Sequence, residues 1–421
     1  NGKKAVNPEA LGALSVVNRI LAMVLAGGRG ERLYPLTQDR AKPAVPFGGI
    51  YRIIDFTLSN CLNSGIRRIN LLTQYKSLSL NRHIFQGWNI FNPQLDEFVN
   101  LIPAQQRVGE DWYLGTADAI YQNIYVLQQD RPDLILILSG DHIYKMNYRE
   151  MIAHHLGKKA DITVAVIEMD KGLSRQFGVL QVDEEFRIIG FEEKPGTPKT
   201  IPGHPELILA NMGVYIFNTE VLARRVIEDA KDPNSQHDFG KNVIPAMVGQ
   251  DRVFAYSFQD ENRKQAKYWR DIGTLDAYYE ASMDLVAVDP LFNLYDSNWP
   301  IRTYYPPLPP AKTVFEEYGS NRVGASYSSI VSSGCIISGG KVYRSILSPN
   351  VRIHSYSEVR DSILMEGVEV GRGARINRAI IDKRIRIPAG YQIGFNLEED
   401  AQKFTVTQSG IVVLSKGTML A

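Results

Sequence analysis

The residues best suited to chemistry gather between positions 21 and 46. An apolar run, Leu21-Ala22-Met23-Val24-Leu25-Ala26, opens into Gly27-Gly28-Arg29-Gly30, with Arg32 and Lys42 following. Glycines after a strand let backbone N–H groups approach an anion with no Cβ in the way, and Arg29, Arg32 and Lys42 supply countercharge. That order of parts suits a polyphosphate cradle and predicts a chain that handles nucleotides. The spacing is neither G-x-G-x-x-G nor G-x-x-x-x-G-K-[S/T]. Gly-Gly-x-Gly alone could be a conformational turn, but a turn has no use for three nearby cations.

A nucleoside triphosphate reacts as its Mg²⁺ complex, and Mg²⁺ takes one or two carboxylates besides phosphate oxygens and waters. Asp141, in Ser139-Gly140-Asp141-His142, and Asp271, in Tyr268-Trp269-Arg270-Asp271-Ile272-Gly273-Thr274, both stand at expected strand ends and are the candidate ligands. Either could instead cap the following helix. His142 reads as a packed structural histidine rather than a base. Trp112, Tyr113, Gly115 and Thr116, preceded by Gln105 and Gln106, could receive a flat base; they would serve equally as a helix cap with core aromatics. In Glu193-Lys194-Pro195 the lysine could meet a sugar phosphate and the glutamate its hydroxyls, although alone the motif also reads as a solvated charge cluster.

These groups need a frame. Strand-like runs at 20–26, 68–73, 134–139, 162–168, 212–217 and 252–258 alternate with helical patterns at 54–64, 76–87, 117–129, 147–157, 219–230 and 274–286, the pattern of an α/β sheet. Continuous apolar strands imply cover on both faces, with ligands at the carboxyl ends, which puts the Gly27 loop and Asp141 at one edge. The 421 residues suggest two domains. We divide them into a lead-in (1–18), a catalytic unit (19–290), a Pro- and Tyr-rich linker (291–325) and a repeat unit (326–421). The repeats begin at Ser329, Ser345, Ser362 and Ala379, a period of 16 to 17 that suits a parallel β-helix.

Charge is balanced, 47 Lys and Arg against 46 Asp and Glu, which gives no global field for nucleic acid or a membrane surface. Two cysteines make no disulfide framework and fit a reducing cytosol. No apolar run reaches membrane-spanning length, so a cytoplasmic enzyme is expected.

Taken together, the Gly27 loop, Arg40-Ala41-Lys42-Pro43-Ala44-Val45, Arg52-Ile53-Ile54-Asp55-Phe56, Trp112 to Ala119, Gly140 to Lys145, Glu193-Lys194-Pro195, His237-Asp238-Phe239-Gly240-Lys241 and Tyr268 to Thr274 resemble the sugar-nucleotide pyrophosphorylase family, most closely its bacterial ADP-glucose-forming members. The resemblance covers nearly the whole chain. It implies a Rossmann-like (GT-A-like) nucleotidyltransferase domain with a mostly parallel sheet, then a left-handed β-helix, in an allosteric homotetramer. The implied reaction joins ATP and α-D-glucose 1-phosphate into ADP-glucose and pyrophosphate, the committed step of bacterial glycogen synthesis.

By that likeness Arg32, Lys42 and Asp141 are catalytic, and Gly27, Gly28, Arg29, Gln105, Gln106, Tyr113 and Gly115 hold the nucleotide. Gly178, Glu193, Lys194, Asn211, Tyr215, Asp238, Phe239 and Trp269 take the sugar phosphate; Asp141 and Asp271 take Mg²⁺. Phosphorylated effectors would meet Asp39, Arg40, Arg52, Lys383 and Lys416. Three features depart from the family pattern, one of them the C-terminal tail, often rich in Arg, which here offers only Lys416. Asn211 replaces a common serine, which loosens the expectation of sugar selectivity, and Asp39 reverses a common positive charge, which predicts that effectors bind weakly or in a different pose. The alternatives are a pyrophosphorylase for another NTP or hexose 1-phosphate, or a non-catalytic regulatory subunit; retention of Asp141, Lys194 and Asp271 speaks against the latter. An acyltransferase working from the β-helix would want a histidine base at a coil interface, and that unit offers only His354.

Overall fold

Apolar strands without alternation must be covered on both sides, and the helices between them provide that cover. The protein is described here by a computed structural model over residues 19–105, 112–316, 319 and 322–420. The lead-in 1–18 and Gln106 lie outside these residues. The first unit runs β1 (Ile20–Leu25), α1 (Ile53–Asn63), β2 (Arg68–Thr73), α2 (Leu78–Gly87), β3 (Phe98–Pro103), α3 (Thr116–Gln122), α4 (Ile124–Asp130), β4 (Leu134–Ser139) and β5 (His142–Tyr144). It continues through α5 (Tyr148–Gly157), β6 (Ile162–Asp170), β7 (Gly178–Val182), β8 (Ile188–Glu193), β9 (Leu207–Asn218), α6 (Thr219–Asp229), β10 (Val253–Ser257), β11 (Trp269–Asp271) and α7 (Leu275–Asp284).

Among the described residues these strands build a nine-stranded sheet in the order β8-β7-β9-β4-β1-β2-β3, with β6 beside β9 and β10 beside β6. β4, β1, β2 and β3 are parallel, and Leu25 pairs with both Ser139 and Leu72. The loops after β1, β2 and β4 therefore open at one edge, where α/β sheets bind ligands. Along β1, Ile20, Ala22 and Val24 enter one core while Leu21 and Met23 enter the other, the period of two expected of a strand buried on both faces. The antiparallel half centres on β9, whose pairing with β6 shifts between Asn211 and Tyr215. A separate ribbon joins β5 to β11 and sets Asp271 opposite His142.

The single helix expected over 117–129 is instead two. They meet at Asn123, whose amide donates to the Ala119 carbonyl and the Tyr113 hydroxyl. Strand β3 was absent from the sequence-based expectation, because Asn100 and Pro103 interrupt its apolar run.

Beyond Trp299 the connector is tied to the first unit. Trp299 Nε1 donates to Asn60, Arg302 N to Ser59 and Thr303 Oγ1 to Asp55. Strand pairing in the repeat unit begins at Lys312–Val314, inside the stretch read as linker. Three stacks of short parallel strands follow; one contains Ile330–Val331, Ile346–Leu347, Ile363–Leu364 and Ala379–Ile381, the repeats visible in the sequence. Their leading serines form a ladder: Ser329 Oγ accepts from Ser345 N, Ser345 Oγ from Ser362 N, and Ser362 Oγ from Ala379 N. Val342, Ile353, Val359, Val370 and Ile376 fill the interior.

Candidate active site

The turn after β1 is built around Gly30. At φ +64°, a Cβ there would lie 3.0 Å from Thr37 Cγ2 and 3.2 Å from Lys42 Cβ. The stem of Lys42 thus runs directly beneath the glycine loop. Thr37 Oγ1 pins the turn by donating to the Gly30 carbonyl. One cleft of about 1050 Å³ is lined by Gly27, Gly28, Arg29, Arg32, Lys42, Tyr113, Gly115, Asp141 and Asp238, bringing together residues expected to serve the nucleotide, the catalysis and the sugar phosphate from five separate stretches of chain.

At its floor the buried Lys42 Nζ donates to Asp141 Oδ2 and to Asp271 Oδ1, each at 2.8 Å. Ser139 Oγ holds the other oxygen of Asp141 at 2.6 Å, and His142 Nε2 stands 3.5 Å from it. Burial opposes the charge on Asp141, but the Lys42 ammonium, His142 and these hydrogen bonds outweigh it and keep the carboxyl well below the usual carboxylate range. Burial opposes the charge on Lys42 too, and the two carboxylates more than compensate. Asp141, His142 and Asp271 offer ligand atoms within 4.8 Å of one another. Two carboxylate oxygens that share one cation between them form a hard donor set, which fits a divalent cation of the Mg²⁺ type.

Arg29 is exposed, its guanidinium lying over the Tyr75 ring at 5.1 Å, and Tyr75 stacks on Trp112 at 5.6 Å. Tyr113 is half-buried and accepts from Asn123. Gly115 lines the cleft and also meets backbone: a Cβ there would sit 2.3 Å from the His237 carbonyl oxygen, so packing excludes a side chain. Thr116 Oγ1 then donates to Asp238 Oδ2, joining α3 to the 237–241 motif.

A second group adjoins the cleft. Tyr215 packs on Phe239 at 5.7 Å and its hydroxyl accepts from Asn211 Nδ2 at 2.8 Å, while Asn211 Oδ1 accepts from Gly213 N. Burial raises the Tyr215 pKa, with Asp238 and Glu193 adding to the effect. A Cβ on Gly178 would lie 2.9 Å from Glu193 Oε2, and one on Gly240 3.2 Å from that same oxygen. Lys194 is exposed, its Nζ 3.5 Å from Glu193. Trp269 is buried edge-on to His142 at 5.0 Å, and its Nε1 has no hydrogen-bond partner.

Other expected residues fall elsewhere. Gln105 is exposed at the end of β3 and is not among the residues lining the cleft. Arg40 makes a buried ion pair in which Nη2 donates to both oxygens of Asp382 at 2.8 and 2.9 Å, Arg52 donates to Ser79, and Lys383 donates to Glu366. These three cations are near enough that Arg52 and Arg40 join burial in lowering the Lys383 pKa. Asp39 and Lys416 are exposed. Gln74, Tyr75 and Ser139 also line the cleft and were missed as site residues. The signal was present for the first two, since they directly follow a strand that neighbours β1.

Comparison with known proteins agrees with this architecture. Residues 21–287 match the nucleotidyl transferase family and residues 309–414 match the GlmU-like C-terminal hexapeptide family, so the repeat unit is a left-handed parallel β-helix. The chain is 56% identical to a glucose-1-phosphate adenylyltransferase of Koribacter versatilis, over 94% of this chain and 95% of that protein. Proteins of that name from Rhodopirellula baltica and Methylococcus capsulatus are 54% and 50% identical, covering 96% and 97% of this chain and 92% and 97% of theirs. With a catalytic unit, a repeat unit and full-length relatives all of one kind, the chain belongs to the glucose-1-phosphate adenylyltransferases of the nucleotidyl transferase family.

Proposed function

We propose that the chain transfers the adenylyl group of ATP to α-D-glucose 1-phosphate, giving ADP-glucose and pyrophosphate. The observation that carries this reading is the convergence of Asp141, Asp271 and Lys42 beneath a glycine loop. A sugar-phosphate oxygen forms a bond to the α-phosphorus as the bond to the bridging oxygen breaks, so no protein nucleophile is needed. The work of the chain is to align two anions and neutralise the leaving group. Backbone N–H groups of Gly27, Gly28 and Gly30, with Arg29 and Arg32, hold the triphosphate, and Lys42 reaches its leaving end. Tyr113, backed by Asn123, borders the adenine side. Lys194 meets the sugar phosphate; Glu193, Asn211, Tyr215, Asp238, Phe239 and Trp269 line the sugar, with Gly178 leaving room for Glu193. Mg²⁺, held by Asp141 and Asp271, supplies charge neutralisation at the phosphates when bound.

The reading extends to the committed step of bacterial glycogen synthesis, a cytoplasmic location and a homotetramer. No helix among the described residues is long and apolar enough to cross a membrane. Phosphorylated effectors at Arg40, Arg52 and Lys383 act weakly, because Asp382 and Glu366 already neutralise two of these cations and Asp39 adds repulsion nearby. The test is pyrophosphate release from ATP, UTP and GTP with glucose, glucosamine and mannose 1-phosphates. ATP with glucose 1-phosphate should exceed every other pair at least tenfold in kcat/KM. A preference for another nucleotide or sugar overturns the assignment.

A further inference from the structure

The placement of Lys42 raises a problem that the catalytic role alone does not answer. Its Nζ stands 2.8 Å from one oxygen of each carboxylate, and Ser139 already occupies the other oxygen of Asp141. A Mg²⁺-like ion sits about 2.1 Å from its oxygen ligands. An ion bridging Asp141 Oδ2 and Asp271 Oδ1 at that distance lies in the space the ammonium fills, so at those two oxygens ion and ammonium exclude one another. The Lys42 side chain is 9% exposed, so an ammonium pushed off the carboxylates needs another anion to avoid a buried, unpaired charge. The stem passes under Gly30, and Lys42 shares the cleft with Gly28, Arg29 and Arg32, so the anion within reach is a phosphate on the glycine loop.

Resting on the function proposed above, we infer that Lys42 is a built-in counterion that a divalent cation must displace and that a bound polyphosphate then receives. Lys42 thereby couples the two ligands. The cation alone binds poorly because it strands the ammonium, and the polyphosphate alone finds Lys42 still held by Asp141 and Asp271. Together each removes the cost of the other. Because the coupling is a free energy of binding it is reciprocal, and it makes the chain take up nucleotide and cation as one unit. Lys42 is thus a positioning residue for the metal site in addition to its contact with phosphate.

The test is Mn²⁺ binding to the full chain without nucleotide, followed by electron paramagnetic resonance of the free ion. Lys42→Met should bind Mn²⁺ alone at least tenfold more tightly than the parent. Unchanged or weaker binding overturns the inference, as does a gain that survives Asp141→Asn in the same background. Lys42→Gln repeats the measurement should Lys42→Met fail to fold. A third reading uses the unmodified chain: with the site half filled by Mn²⁺, acetic anhydride labelling of Lys42, read by mass spectrometry, should at least double, and constant labelling overturns the idea. All three readings use the metal alone. Absence of ADP-glucose synthesis would therefore remove the function proposed above and leave these results to be judged by themselves.

Discussion

One ammonium between two carboxylates at the floor of a cleft sets the chemistry at the residue scale. Removing a carboxylate should damage turnover far more than sugar-phosphate affinity, because the charge it organises develops as pyrophosphate leaves. Asp141→Asn is expected to lower kcat by about a hundredfold or more with KM for glucose 1-phosphate changed less than threefold, by initial rates of pyrophosphate release. A kcat within tenfold of the parent would remove Asp141 from the mechanism. Asp141, Asp271 and Lys42 stood out in the sequence as candidates by charge and position, although either aspartate could also have capped a helix; their meeting at one ammonium is visible only in three dimensions. Gly115 shows what order along the chain leaves out. A residue may be small to admit a ligand or to admit another stretch of backbone, and one-dimensional order does not reveal that His237 lies above it.

Helix α5 supplies a test at the scale of elements. His155 on that helix is buried against β6 and the end of β9, with Nδ1 2.8 Å from Thr163 Oγ1 and Nε2 3.2 Å from Asn218 Oδ1. Burial, aided by His154 and Arg252 and opposed by Asn218 and Asp161, pushes its pKa down to about 4. The unfolded chain takes up a proton near pH 6.5 and the folded chain only near pH 4. Between these values the unfolded state therefore binds more protons, and stability falls as pH falls. His155 should cost roughly 3 kcal/mol across that window, seen as a fall in Tm from pH 7 to pH 4.5 that His155→Gln flattens. A Tm profile identical in the variant would dismiss this group as the cause. Elements with a strong period, such as β1, β4 and the coil repeats, were legible because buried strands leave continuous apolar words. The β5–β11 ribbon was not, since three-residue strands 125 positions apart carry no periodic trace; the break at Asn123 depends on a hydroxyl ten residues away.

Across the whole molecule, the catalytic unit and the β-helix are joined by a shared apolar layer and by Arg40 with Asp382, side chains 5% and 1% exposed. Arg40→Met leaves Asp382 buried without its partner, at a cost of about 3–5 kcal/mol. The expected result is a clear drop in Tm, with at least half the loss recovered in Arg40→Met with Asp382→Leu. A single variant as stable as the parent would show the pair to be unimportant. No sequence pattern links positions 342 apart, so the two units were legible separately but their junction was not.

That shared layer has a practical consequence. Leu36, Phe47 and Ile272 from one side meet Ile363, Met365 and Ile380 from the other. A fragment cut at the proline-rich stretch would carry a raw, water-averse wound on each piece, prone to clumping during expression. Anyone wishing to borrow the nucleotide-handling half for another scaffold must first repaint that surface with polar residues.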